Sequence, residues 1–113
     1  LGRKEVMVMV YELYLDAVKT KITRFERASR LINGKELACA VGMAYGQAGL
    51  PEPEPELGME VEEFQQRSLE TLKERALPEG KLLDAIREYS RRDEQMDEDM
   101  LAVLKLGYES GRQ

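Results

Sequence analysis

Apolar residues recur at alternating steps of four and three along two long stretches of the chain. The first stripe is Met7, Tyr11, Tyr14, Val18, Lys21, Phe25, Ala28 and Ile32; the second is Leu82, Ile86, Tyr89, Asp93, Met96, Met100, Val103 and Gly107. Such spacing places each set on one face of an α-helix. It predicts a first helix over 4–31, ended by Asn33-Gly34, and a last helix over 81–108. The β-branched residues in Val6–Val10 also suit a strand, but the spacing carries on through Ile32 and favours helix. Leu37, Val41, Ala44, Tyr45 and Ala48 mark a helix over 35–48, and Val61, Phe64, Leu69, Leu72 and Ala76 one over 59–76. Between them, Pro51 to Glu56 alternates proline with glutamate and cannot be helical, so 51–58 reads as an extended connector.

Four helices in up-down-up-down order give one all-α domain over 1–113, an antiparallel four-helix bundle-like fold. Each long stripe carries one charge where a hydrophobe belongs, Lys21 in the first and Asp93 in the second. With the first and last helices antiparallel and in full register, the two charges meet. A buried Lys21–Asp93 ion pair is therefore expected, of the kind that fixes register at some expense of stability.

Two features exceed what a single stripe needs. Within 6–15 only Glu12 is charged, so Val6, Met9, Val10 and Leu13 add apolar surface beyond the core-facing side. In the second helix Ala38, Gly42 and Gly46 lie four apart and form a ridge without bulk. Each glycine costs about 1 kcal/mol against alanine in a helix, so two in one ridge imply close approach of another backbone. The neighbour is either a helix of the same domain or a second copy. These seven residues are the candidate interface of a dimer.

The chain of 113 residues is 42% apolar and 35% charged, which is globular rather than disordered. Its net charge of -5 divides unevenly, +3 over 1–50 and -8 over 51–113. The acidic half argues against binding nucleic acid with the whole surface. Arg24, Arg27 and Arg30, on the outer side of the first helix, are the candidates for an anionic partner. The segment 36–50 looks like a helix-turn-helix, but its second helix lacks Arg and Lys and runs into the Pro-Glu repeats. A lone Cys39 excludes an intramolecular disulfide and fits a reducing compartment. No apolar run approaches the ~18 residues of a membrane span. A cytoplasmic protein is expected.

Chemistry is sparse. There is no His, so Cys39, in an apolar helix, has no His partner to activate it. No phosphate-binding glycine loop occurs. Carboxylates remain: Glu60 and Glu63 lie one helical turn apart, as do Glu94 and Asp97. This ExxE…ExxD pattern resembles that of the all-α nucleoside-triphosphate pyrophosphohydrolases of the MazG class. The resemblance implies that all four acids would hold Mg²⁺ and activate water against a nucleotide phosphate. A second likeness joins Ala38, Val41, Gly42, Tyr45 and Gly49, whose spacing resembles the first helix of a tetratricopeptide repeat and suggests helical-hairpin packing. The reading that absorbs most of the residues is a small helical interaction, adaptor or regulatory module, without catalysis or cofactor. Its partner is a protein, itself included.

Overall fold

Helix α2 (Gly34–Gln47) is the axis of the molecule, with Gly34 and every residue from Glu36 to Gly46 buried. In the computed structural model, which describes residues 2–24, 30–75 and 80–113, it is surrounded by α1 (Arg3–Arg24), α3 (Val61–Glu74), α4 (Lys81–Glu88) and α5 (Glu98–Gly111). The domain is all-helical, with one isolated β-bridge and no strand among the described residues. Among the described residues it has five helices, not the four of an up-down-up-down bundle.

The small residues of α2 face α5 within the same chain. A Cβ on Gly42 would overlap the carbonyl oxygen of Leu104, and one on Gly46 that of Tyr108. Helix α5 answers in kind. Gly107 lies on the carbonyl of Cys39, and Gly111 on that of Met43. Contacts advance together along both helices, from 39 to 46 on one and from 104 to 112 on the other, so the two run parallel with backbones touching. Ala38, Gly42 and Gly46 are therefore an internal seam rather than an intermolecular one. Around it close Leu37, Val41, Val103 and Leu104, all at or near full burial.

Helices α2 and α5 each start on a side-chain cap. Asn33 does not stop the first helix as expected; its side-chain oxygen accepts the Glu36 amide at 2.9 Å and caps α2. Asp97 caps α5 in the same way, accepting the Met100 amide at 2.8 Å, with Glu98 and Asp99 following in the favourable first turn. That cap is one reason why the expected continuous helix over 81–108 is two helices. Gln65 supplies another: its buried amide donates to the carbonyls of Ile86 at 2.7 Å and Tyr89 at 2.8 Å, satisfying the end of α4. The chain then turns through Asp93, at φ 64°, and pairs with the segment before α3. Met96 donates to the Met59 carbonyl at 2.7 Å, and Val61 to that of Glu94 at 2.9 Å.

Phe25 and Ala28 of the expected first helix, and Ala76 of the third, lie outside the described residues. The Pro-Glu segment has no helix or strand over 51–56 and turns at Leu57-Gly58. Alanine is the better helix former by about 1 kcal/mol, yet Gly107→Ala is expected to destabilise. The added methyl meets the Cys39 carbonyl, an overpacking penalty of roughly 1–3 kcal/mol net. Urea denaturation measures it, with Gly2→Ala, at a glycine with no atom within 4 Å, leaving the midpoint unchanged.

Candidate functional site

Helix α1 meets the α2–α5 pair at the first turns of both. The Tyr11 hydroxyl donates to Asp99 at 2.7 Å, and the Lys35 ammonium stands 6.0 Å over the Tyr14 ring. Val18, on the same face, is fully buried. One turn further, Lys21 is the ionic foot of the helix. Its ammonium pairs with both carboxylate oxygens of Glu36, at 2.9 Å to Oε2, and donates to the Arg30 carbonyl at 3.0 Å. Glu36 is 2% exposed and also accepts the Ile32 amide at 3.3 Å. The structure thus keeps Lys21 inward, but on Glu36 rather than Asp93, which is exposed in the turn before α5. Lys21 ties α1 to the next helix in the chain, while Tyr11 and Asp99 tie it to the last.

A second polar contact closes the same corner. Glu94 accepts the Tyr89 hydroxyl and, at 3.1 Å, the Gly34 amide at the start of α2. Burial first, and then the hydrogen bond to Glu94, hold the Tyr89 phenol well above its ordinary range. The Tyr11 phenol is raised by its hydrogen bond to Asp99. Burial pushes the Cys39 thiol up to about 12, so it is a neutral core group at any ordinary pH.

The four carboxylates of the ExxE…ExxD pattern have separate surroundings. Glu60 is exposed beside Gln95, Glu63 pairs along α3 with Arg67 at 2.7 Å, Glu94 holds Tyr89 and Gly34, and Asp97 caps α5. Among the described residues no three acidic or cysteine side chains gather as a metal ion needs. Of the basic candidates Arg30 is exposed, while Arg27 and the side chain of Arg24 lie outside the described residues.

Beyond Tyr11 toward its N-terminus α1 carries its hydrophobes in the open. Val6, Met7, Val8, Met9, Val10 and Leu13 are all exposed, Met9 by 54% and Leu13 by 67%. Among the described residues only Ile32 and Leu57 are other large hydrophobes so exposed, and they stand alone. The sequence-read interface of Val6, Met9, Val10 and Leu13 is thus brought together on one helix, apart from Ala38, Gly42 and Gly46. Glu36, Gln65 and the glycines at 107 and 111 escaped sequence reading as functional parts. The second Gly-x-x-x-Gly, at Gly107 and Gly111, was the visible signal for the seam's other half.

The family described as Domain of unknown function (DUF3837) matches residues 9–111, and the chain belongs to it. No curated protein and no solved structure matches the chain. No helix among the described residues is long and apolar enough to cross a membrane.

Two outcomes follow from the buried groups. Lys21→Met leaves the Glu36 carboxylate buried without its cation and should cost roughly 3 kcal/mol in chemical denaturation. The Lys21→Met/Glu36→Met double variant should recover most of that, because an apolar pair replaces a buried ionic one with little penalty. For Cys39, a folded-state pKa raised from 9.0 to about 12 means stability present below pH 9 and lost as pH rises toward 12. The urea midpoint of Cys39→Ala should therefore fall less steeply between pH 9 and 11 than that of the wild type.

Proposed function

We propose that this member of the family is a cytoplasmic, non-catalytic interaction module that self-associates through the N-terminal half of α1. The observation that carries the reading is the run of exposed hydrophobes from Val6 to Val10 together with Leu13. These six side chains expose on the order of 500 Å², a patch size that on a soluble domain marks an interaction surface. Two copies meeting on Val6, Met9, Val10 and Leu13 would bury on the order of 700 Å² from these side chains, the centre of a contact that flanking residues extend toward the size of a specific interface.

The helix geometry supports a pairing mode. Val6, Met9 and Leu13 are spaced by three and four on the side opposite Tyr11, Tyr14 and Val18, with Val10 on the flank. Arg3 and Lys4 precede the apolar run, while Glu12 and Asp16 lie at and beyond its end. An antiparallel, two-fold pairing centred between Met9 and Val10 sets Val6 against Leu13 and Arg3 against Asp16. A parallel pairing would oppose like charges all along. Met9 gives the contact an adaptable filling. The lone, buried Cys39 suits a reducing compartment. A dimer of this kind displays two copies of its remaining surface, which is the economy of an adaptor.

Light scattering across a dilution series tests this. The wild type should approach twice its 12.9 kDa at high concentration. Leu13→Glu should stay at one copy with an unchanged helical circular dichroism spectrum. A wild type that is monomeric throughout, or a Leu13→Glu variant that still dimerises, contradicts the proposal.

A further inference from the structure

A groove of about 640 Å³ opens between the Pro-Glu connector and the helices α2 and α3, away from the apolar half of α1. Its size falls in the range of ligand sites. Tyr45, Phe64 and Met59 lie along its floor, with Pro53 and Pro55 forming one wall. Tyr45 and Phe64 are buried side chains whose edges reach the groove.

The wall is held at both ends. The Leu50 amide donates to the Tyr45 carbonyl at 3.1 Å, and the Leu50 carbonyl accepts the Tyr108 hydroxyl at 2.6 Å. At the other end Gly58, in the left-handed region at φ 86°, donates to the Met96 carbonyl at 2.8 Å. Between these anchors Pro51, Pro53 and Pro55 fix their own φ and bias the residues before them toward extended backbone. Such a wall is set before any ligand arrives, and prior order lowers the entropic cost of binding.

The rim is acidic. Glu54 and Glu56 project from the connector, and Glu63 lies across from them on α3. One cation borders the groove, Arg67, and it is already paired with Glu63 at 2.7 Å. Three carboxylates against one guanidinium leave the groove negative, which repels anionic ligands. Among the described residues no three acids gather tightly enough for a metal ion. The charge is spread instead along a groove whose exposed lining is more polar than apolar, with Met59 part-exposed and only the edges of Tyr45 and Phe64 showing. It suits organic cations carried on a chain that makes a few apolar contacts. From Pro53 to Leu57 the wall is ~15 Å long at polyproline spacing, the length of four or five extended residues.

We propose that this groove is a docking site for a basic, extended peptide segment, one that alternates lysine or arginine with an aliphatic residue. The aliphatic side chains sit on Tyr45, Met59 and Phe64, and the cations lie along Glu54 and Glu56. The site is independent of α1 and holds whether or not the protein dimerises.

The test is amide chemical-shift mapping with three probe peptides: acetyl-KLKLK-amide, acetyl-KGKGK-amide and acetyl-ELELE-amide. The first should give saturable shifts centred on Tyr45, Met59, Phe64 and Ser68; the other two should not. Glu54→Gln/Glu56→Gln should weaken that binding by roughly fivefold, as two partly exposed ion pairs would. Glu70→Gln/Glu74→Gln makes the same charge change on the exposed side of α3 and should weaken it less than about twofold. Equal binding of the glycine peptide, equal losses in the two double variants, or no saturation would overturn the groove. So would shifts centred on Val6 to Leu13, which would place the peptide on α1 instead.

Discussion

The close parallel contact of α2 and α5 governs the rest of the molecule. With Gly42 and Gly46 on one helix and Gly107 and Gly111 on the other, the two backbones touch and no side chain separates them. That contact makes α2 an axis buried at Gly34 and from Glu36 to Gly46, but a slender one. Helices α3 and α4 cover it on other sides, joined to each other through Gln65, whose amide serves two carbonyls at the end of α4. The pair offers α1 only its first turns, where Tyr11, Tyr14, Val18 and Lys21 find Asp99, Lys35 and Glu36. Among the described residues nothing covers the helix ahead of Tyr11. The exposed hydrophobes of α1 are thus a consequence of how tightly the core pair closes.

Much of this was legible in the sequence, and the failures share a physical origin. Gly42 and Gly46 announced a close approach, because glycine in a helix interior has no other local advantage. Whether that approach was internal needed the matching glycines at 107 and 111, far along the chain. Lys21 was correctly placed on the inward face, since helical period settles direction. Its partner was misread, because period says nothing about which distant carboxylate a helix crossing brings near. The nearer Glu36 won, held in the first turn of α2 where the helix dipole favours a negative charge.

Local capping chemistry decides boundaries that the apolar spacing does not show. Asn33 and Asp97 belong to residue types that prefer to begin helices, yet Asn33-Gly34 reads as a stop, and Asp97 stands out only as a magnesium ligand that the MazG-class resemblance implies. The unbroken four-three spacing through 82–107 concealed a break that capping and side-chain hydrogen bonds impose. Gln65 shows the limit most clearly. Its burial is worthwhile only because α4 ends beside it, and no property of α3 alone reveals that.

The two surfaces proposed here sit on different parts of the fold and use different physics. The apolar half of α1 offers area with little directionality, suited to a symmetric contact. The groove beside the Pro-Glu connector offers a fixed shape and a charged rim, suited to selecting a class of partner. A dimer carrying two such grooves would gain avidity for a partner with repeated basic segments, without any new contact.

Central to the account is that α1 needs a second copy while the α2–α5 pair is complete without one. Amide hydrogen exchange across a protein dilution series measures both together. The account predicts that protection over 6–13 rises with protein concentration, while protection of α2 and α5 stays constant. Protection over 6–13 that does not change with concentration, or a rise shared equally by α2 and α5, would contradict it.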